Sequence, residues 1–143
     1  MEMIRFLFYS LYSWNIYGKI NSIKITLKRK PFHFKADPFF IVKKNNIYIL
    51  FEEKFLFGKG KIQIINYLTS ETINISEKFH LSFPNVFKVG KRYLLLPESS
   101  ENRDLRFYWF YPDEFKISFN FTIKTEFRYV DSVIFNYDSS NET

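Results

Sequence analysis

The sequence predicts an all-β protein, and three features carry that prediction. Ala36 is the single alanine in the chain, while Phe, Tyr, Ile, Val and Thr abound. Alanine is the strongest helix former, whereas β-branched and aromatic residues suit a pleated, half-buried surface. Apolar and polar side chains then alternate over short runs, most cleanly where Ile117, Phe119, Phe121 and Ile123 interleave with Ser118, Asn120, Thr122 and Lys124. Finally, those runs repeat along the chain. An A+T-rich coding bias could supply the composition, but it supplies no periodicity.

In chain order, the apolar stretch Phe6 to Leu11 reads as a first strand. A secretory signal wants a basic start, a longer apolar run and a small-residue cleavage site, and here Glu2 and Ser10 interrupt. Ile20 to Leu27 alternates less strictly, and Lys28, Arg29, Lys30 and Pro31 read as the loop closing an N-terminal segment over 1–30, with His33 a loop residue beyond it. The first unit, 36–79, predicts strands at 39–43, 46–53, 60–68 and 72–77. The second, 80–128, predicts them at 84–89, 92–97, 104–111 and 117–124. Asn45-Asn46, Gly58-Lys59-Gly60, Gly90-Lys91 and Pro112-Asp113 separate the runs as turns.

The two units are related. Asp37-Pro-Phe-Phe-Ile-Val leads over a polar turn to Glu53, and Phe83-Pro-Asn-Val-Phe-Lys leads over Gly90 to Glu98. With one residue of slack in the turn, Pro38 matches Pro84, Tyr48 matches Tyr93 and Glu53 matches Glu98. A third copy opens at Asp131 within 129–143, so the starts are offset by 46 and 48 residues. Four antiparallel strands at this period predict β-propeller blades: two complete blades plus the start of a third. Closure needs at least four blades, so the chain is expected to be a fragment or to close by self-association.

Composition narrows the chemistry. With no cysteine, a disulfide framework, a thiolate metal site and a cysteine nucleophile are excluded. No run of 18 apolar residues exists to span a membrane. The net charge of +6 comes from lysines mostly scattered singly, which argues for solvated faces and against a nucleic-acid surface. No phosphate-binding glycine loop, nucleophile elbow or metal-spaced histidine pair appears, and no cofactor is expected. With no targeting segment recognised, the cytoplasm is the default expectation.

The strings Ala36-Asp-Pro-Phe-Phe40, Tyr48 to Glu53 and Gly58-Lys-Gly-Lys-Ile62 carry a resemblance. So do His80-Leu-Ser-Phe-Pro-Asn-Val-Phe87, Leu96-Pro-Glu-Ser-Ser100 and Asn102. Together they resemble the N-terminal domain of glucosamine inositolphosphorylceramide transferases and its bacterial relatives, over roughly residues 14 to 137. That module is similar to the five-bladed propellers of arabinanases, levansucrases and invertases. The resemblance implies that Asp37 falls on the blade-one nucleophile or general base, and that Asp131 falls near the blade-three transition-state stabiliser. The general-acid glutamate of blade four has no counterpart. A cap on the turn before Pro38 is the plain structural alternative for Asp37.

First residues of inner strands point into a propeller's channel, so His80, which opens the second unit, is a candidate substrate contact, and Glu98, which closes a second strand, is a candidate contact to a sugar hydroxyl. A hydrogen-bonded structural role competes for each, and no metal ligand is assigned. The expected function is a carbohydrate-associated, glycosidase-like module that is not catalytic on its own, the transferase activity of the plant relatives belonging to a separate C-terminal domain. The alternative is a non-catalytic glycan-binding or assembly domain that partners a glycosyltransferase or formyltransferase.

Overall fold

The computed structural model describes residues 14–20, 22–28 and 30–135, so the strand expected over Phe6 to Leu11 lies outside the described residues. A short hairpin, β1 (Tyr17–Ile20) and β2 (Ile23–Thr26), comes first. Two four-stranded antiparallel meanders follow. The first is β3 (His33–Lys43), β4 (Asn46–Phe55), β5 (Lys61–Asn66) and β6 (Thr72–Ile75). The second is β7 (Ser82–Val89), β8 (Arg92–Glu98), β9 (Asp104–Tyr111) and β10 (Lys116–Lys124). Among the described residues there is one 3₁₀ turn at Ser100–Asn102 and no α-helix, hence no helix long and apolar enough to cross a membrane.

All eight strands expected of the two units form, seven with ends shifted by at most two residues and β3 starting six residues before the expected 39. Two expectations change. Ile20 to Leu27 does not make one strand, because the chain reverses after Ile20 and pairs it with Ile23. His33 is not in a loop: it opens β3, paired with Phe55.

The register corrects the alignment of the repeat. Ala36 pairs with Glu52 and Lys43 with Asn46 in the first meander, while Ser82 pairs with Glu98 and Val89 with Arg92 in the second. The offset is therefore 46 throughout the hairpin, with no slack: Glu52, not Glu53, corresponds to Glu98, and Ile47, not Tyr48, to Tyr93. Since side chains alternate faces, one residue of slip moves a glutamate to the other side of the sheet.

Both first strands carry a bulge at the same place, after Ala36 and after Ser82. Asp37 and Phe83 there have φ of 49° and 41°. Asp131, where a third copy is expected from the sequence, has φ of 48°, although no strand forms over 129–135 and residues 136–143 are outside the described set. The left-handed region is tolerated by Asp and costs a bulky residue such as Phe about 1–2 kcal/mol. Its recurrence means that both meanders open on the same kink.

The meanders pack face to face, with β7 lying against β3 and β4. Ile41, Tyr48, Leu50, Ile62 and Ile64 of the first interdigitate with Leu95, Tyr108 and Phe110 of the second. Tyr48 sits edge-on to Phe110 at 5.3 Å and donates a hydrogen bond to the Pro112 carbonyl at 2.9 Å, which ties the layers together. On its other face the first sheet buries Ile47, Ile49 and Phe51 against Ile16, Ile25 and Leu27 of the hairpin region.

Candidate functional site

The kinks put the repeat starts at one end of the interface between the two sheets. A bulge rotates the following side chain out of the ladder, and bulges recur beside active sites for that reason. The Asp37 carboxylate leaves the β3 ladder and accepts a hydrogen bond from the Phe83 backbone N–H at the equivalent kink of β7. Desolvation raises the Asp37 pKa, the Asp131 charge raises it further, the Phe83 bond opposes both, and Glu98 adds to the rise. Asp131 in turn donates its backbone N–H to Glu98 Oε2 at 3.2 Å, while Ser100 Oγ donates to Glu98 Oε1 at 2.7 Å.

Glu52 completes the group. Its side chain is 13% exposed and its pKa is raised to about 7, first by burial, then by the negative charge of Asp37. Lys54 opposes that rise and Glu98 reinforces it. A carboxylic acid so placed can hold its proton near neutrality and donate it in a hydrogen bond.

His80 stands against Glu52, its Nε2 at 3.4 Å from Oε1. The Gly60 N–H donates to His80 Nδ1 at 2.8 Å, so the neutral ring carries its proton on Nε2, facing Glu52. Burial and Lys54 lower the His80 pKa, with Glu98 and Glu101 opposing, and the backbone N–H of His80 is anchored on Glu101 Oε2 at 2.7 Å. Gly60 permits this closeness: a Cβ there would lie 2.5 Å from the Leu81 carbonyl and 2.6 Å from both Glu52 Oε1 and His80 Cε1.

Beside Glu52 opens a cleft of about 330 Å³, lined by Trp14, Phe34, Ala36, Lys54 and Leu56 as well. Trp14 and Phe34 meet edge to face at 5.9 Å and form its aromatic wall. An apolar wall next to acids that both donate and accept suits a ligand with apolar faces and many hydroxyls. Among the described residues, no three His, Asp or Glu side chains are grouped so as to hold a metal ion.

All four residues singled out in the sequence, Asp37, His80, Glu98 and Asp131, belong to this one neighbourhood. Glu52 was missed, because the slack placed in the first turn put Glu53 in its position. An unbroken offset of 46 from Glu98 would have found it. Glu53 lies on the opposite face with His33.

The family described as "Glucosamine inositolphosphorylceramide transferase 1, N-terminal" matches residues 13–141. Among individual proteins, glucosamine inositolphosphorylceramide transferase 1 of Oryza sativa subsp. indica is 34% identical over 85 residues, covering 54% of this chain and 11% of that protein. The Arabidopsis thaliana protein of the same name is 36% identical over 85 residues, with the same coverage. The match thus spans about a ninth of the length of these relatives. No solved structure matches the chain.

Proposed function

The chain belongs to the family of glucosamine inositolphosphorylceramide transferase 1 N-terminal domains, and on that premise we propose that it is a carbohydrate-handling module of glycosidase-like, propeller type. Its sugar-facing site is the group formed by Asp37, Glu52, Glu98, Asp131 and His80. The observation that carries this reading is the meeting of Asp37 and Asp131, from the first and third repeat starts, with Glu52 and Glu98, from the second strand of each meander, Glu52 having a pKa of about 7. Such a set offers hydroxyl groups a donor and several acceptors, and glycoside chemistry works with an acid and a base of separated pKa. The propeller reading is supported by two like-ordered meanders at a constant offset, by neighbouring first strands and by the third kink at Asp131.

In the longer relatives the module would present a glycan or glycoconjugate to a transferase domain elsewhere in the chain. In these residues the acids bind sugar, and turnover awaits a general acid contributed from outside them. Titration of the full chain with oligosaccharides tests the site. Asp37→Asn, which keeps a residue at ease in the left-handed region, is expected to weaken binding roughly tenfold, as loss of a charged hydrogen bond does. Unchanged binding would remove Asp37 from the site. Should the full-length protein turn over a sugar substrate and keep that activity in Asp37→Asn, the glycosidase-like assignment falls.

A second reading, an assembly module, is favoured by the outer face of the second sheet. Phe107 stacks on Phe121 at 4.4 Å there, and Phe121 and Ile123 remain 43% and 47% exposed. In a propeller, that face is where a further sheet would pack.

A further inference from the structure

The face of the first sheet that looks away from the carboxylate group holds a second cleft, of about 320 Å³, whose lining includes Lys28, Lys30, Lys35, Phe51, Glu53 and Ile65. Lys35 and Glu53 are cross-strand partners one residue along from Ala36 and Glu52, and therefore face the other way. This cleft shares no lining residue with the one beside Glu52.

Lys35 is its anomaly. The residue is only 6% exposed, yet it forms no ion pair among the described residues. Glu53, its ladder partner, is engaged instead by Lys61 at 3.3 Å, His33 at 3.5 Å and Lys30 at 3.9 Å. Among the described residues, the one hydrogen bond from the Lys35 ammonium goes to the Lys28 carbonyl. An ammonium has three donors, and burying one without a counter-charge is costly. The charged form is accordingly disfavoured: burial lowers the Lys35 pKa, Glu53 opposes, and the Lys30 charge lowers it again. A lysine desolvated beside a second cation is how an amine becomes nucleophilic near neutrality, because the uncharged form carries the attacking lone pair.

The surroundings supply what such an amine uses. Glu53 is 2% exposed, and its Oε1 has no hydrogen-bond partner among the described residues, which leaves it free to take and return a proton. Lys28 and Lys30 are exposed and bring positive charge to the same cleft, so an anionic ligand is favoured there. The volume is that of a small-molecule site, with Phe51 and Ile65 as apolar lining.

We propose that Lys35 is the nucleophile of an imine-forming site for small 2-oxo acids, with Glu53 moving protons and Lys28 and Lys30 facing the ligand's carboxylate. The uncharged Nζ attacks the oxo carbon and a C–N bond forms. The displaced C=O pair goes to oxygen, which gains a proton as nitrogen, through Glu53, gives one up. The resulting hydroxyl takes a second proton, drawn from water, and leaves as water. The nitrogen pair then closes the C=N bond, and nothing is oxidised or reduced. The product is an iminium cation, which occupies the place of the ammonium beside the Glu53 carboxylate. The site stands whether or not the acids at the other face bind sugar.

The test is to incubate the full chain with limiting glyoxylate at neutral pH and trap the imine with cyanoborohydride, which reduces it to a stable secondary amine. Peptide mass spectrometry then locates the carboxymethyl-lysine. Label is expected on Lys35 roughly tenfold or more faster than on exposed lysines, whose amines are almost wholly charged at neutral pH. Propionaldehyde, which lacks the carboxylate, should label Lys35 more slowly than glyoxylate does. Lys30→Gln, at a position whose side chain is 59% exposed, should slow labelling of Lys35 and move its pH profile upward, since the neighbouring cation is gone. Glu53→Gln should slow the reaction and leave its place on Lys35, and Asp37→Asn should change nothing. Lys35→Arg should abolish the fast phase, and the map of the unaltered chain decides the matter should that variant fail to fold. Label spread evenly over the lysines overturns the proposal. So does propionaldehyde reacting as fast as glyoxylate, or a rate and pH profile that Lys30→Gln leaves untouched.

Discussion

Glu52 is the side chain on which the chemistry of the carboxylate group turns, and its titration has a consequence for stability. Its pKa is about 7 in the fold against 4.5 for the free group, so the folded chain holds a proton that the unfolded chain gives up. A raised folded value contributes stability that is full below pH about 4.5 and is lost as the pH climbs through about 7. We expect urea unfolding to show a loss of about 3 kcal/mol across that window. Glu52→Gln, which cannot ionise, should flatten this part of the profile, and a variant that keeps the same slope would refute the assignment. Tyr48 is the corresponding residue in the core. Tyr48→Phe removes the donor to the buried Pro112 carbonyl and should cost about 1–2 kcal/mol, read as a lower denaturant midpoint at unchanged slope.

At the scale of the element, the bulged first strand decides where the acids go. A regular β3 would direct Asp37 along the ladder; the kink at φ 49° releases it toward β7, where Phe83 has the matching kink and supplies an N–H. Strain in a bulky residue such as Phe83, repeated at equivalent places, is the kind that persists where surrounding structure holds it and function uses it. The turn from β4 to β5 contributes Gly60, against which His80 is seated. Gly60→Ala would force a Cβ to within 2.5–2.6 Å of Leu81, Glu52 and His80. An overpacking cost of about 1–3 kcal/mol is expected. The more telling readout is the His80 imidazole by NMR, whose titration should move toward that of a free histidine once its bond to Gly60 is broken.

Across the whole molecule, two sheets share one core, and that shared core holds the acids of separate repeats near each other. Leu95 is fully buried between the layers, so Leu95→Ala should cost about 2–5 kcal/mol and disturb the Asp37–Phe83 contact with the stability. The opposite face of the second sheet behaves otherwise. Replacing Phe121 and Ile123 together by Ser should leave monomer stability within about 1 kcal/mol, since both are exposed. If the face packs against a further sheet or partner, the same pair of changes should lower concentration-dependent association in sedimentation velocity. Association that persists unaltered would rule out the assembly reading.

The sequence by itself determined the strands, their order and the repeat. These rest on local alternation and turn chemistry, which a strand expresses wherever it ends up; seven of the eight expected strands appear within two residues of the runs that predicted them, and β3 extends six residues further back. It also singled out Asp37 and Asp131, through the family resemblance and their places at repeat starts, with His80 opening the second unit and Glu98 closing its second strand. Tertiary structure alone decided which of two adjacent glutamates joins them. Glu52 and Glu53 are neighbours of the same type, and the cross-strand register with Ala36 and Lys35 sends one to the carboxylate group and the other to the opposite face of the sheet. The physical reason is that a strand has a period of two: one residue of slip in a turn costs little locally, yet exchanges the two faces of the sheet.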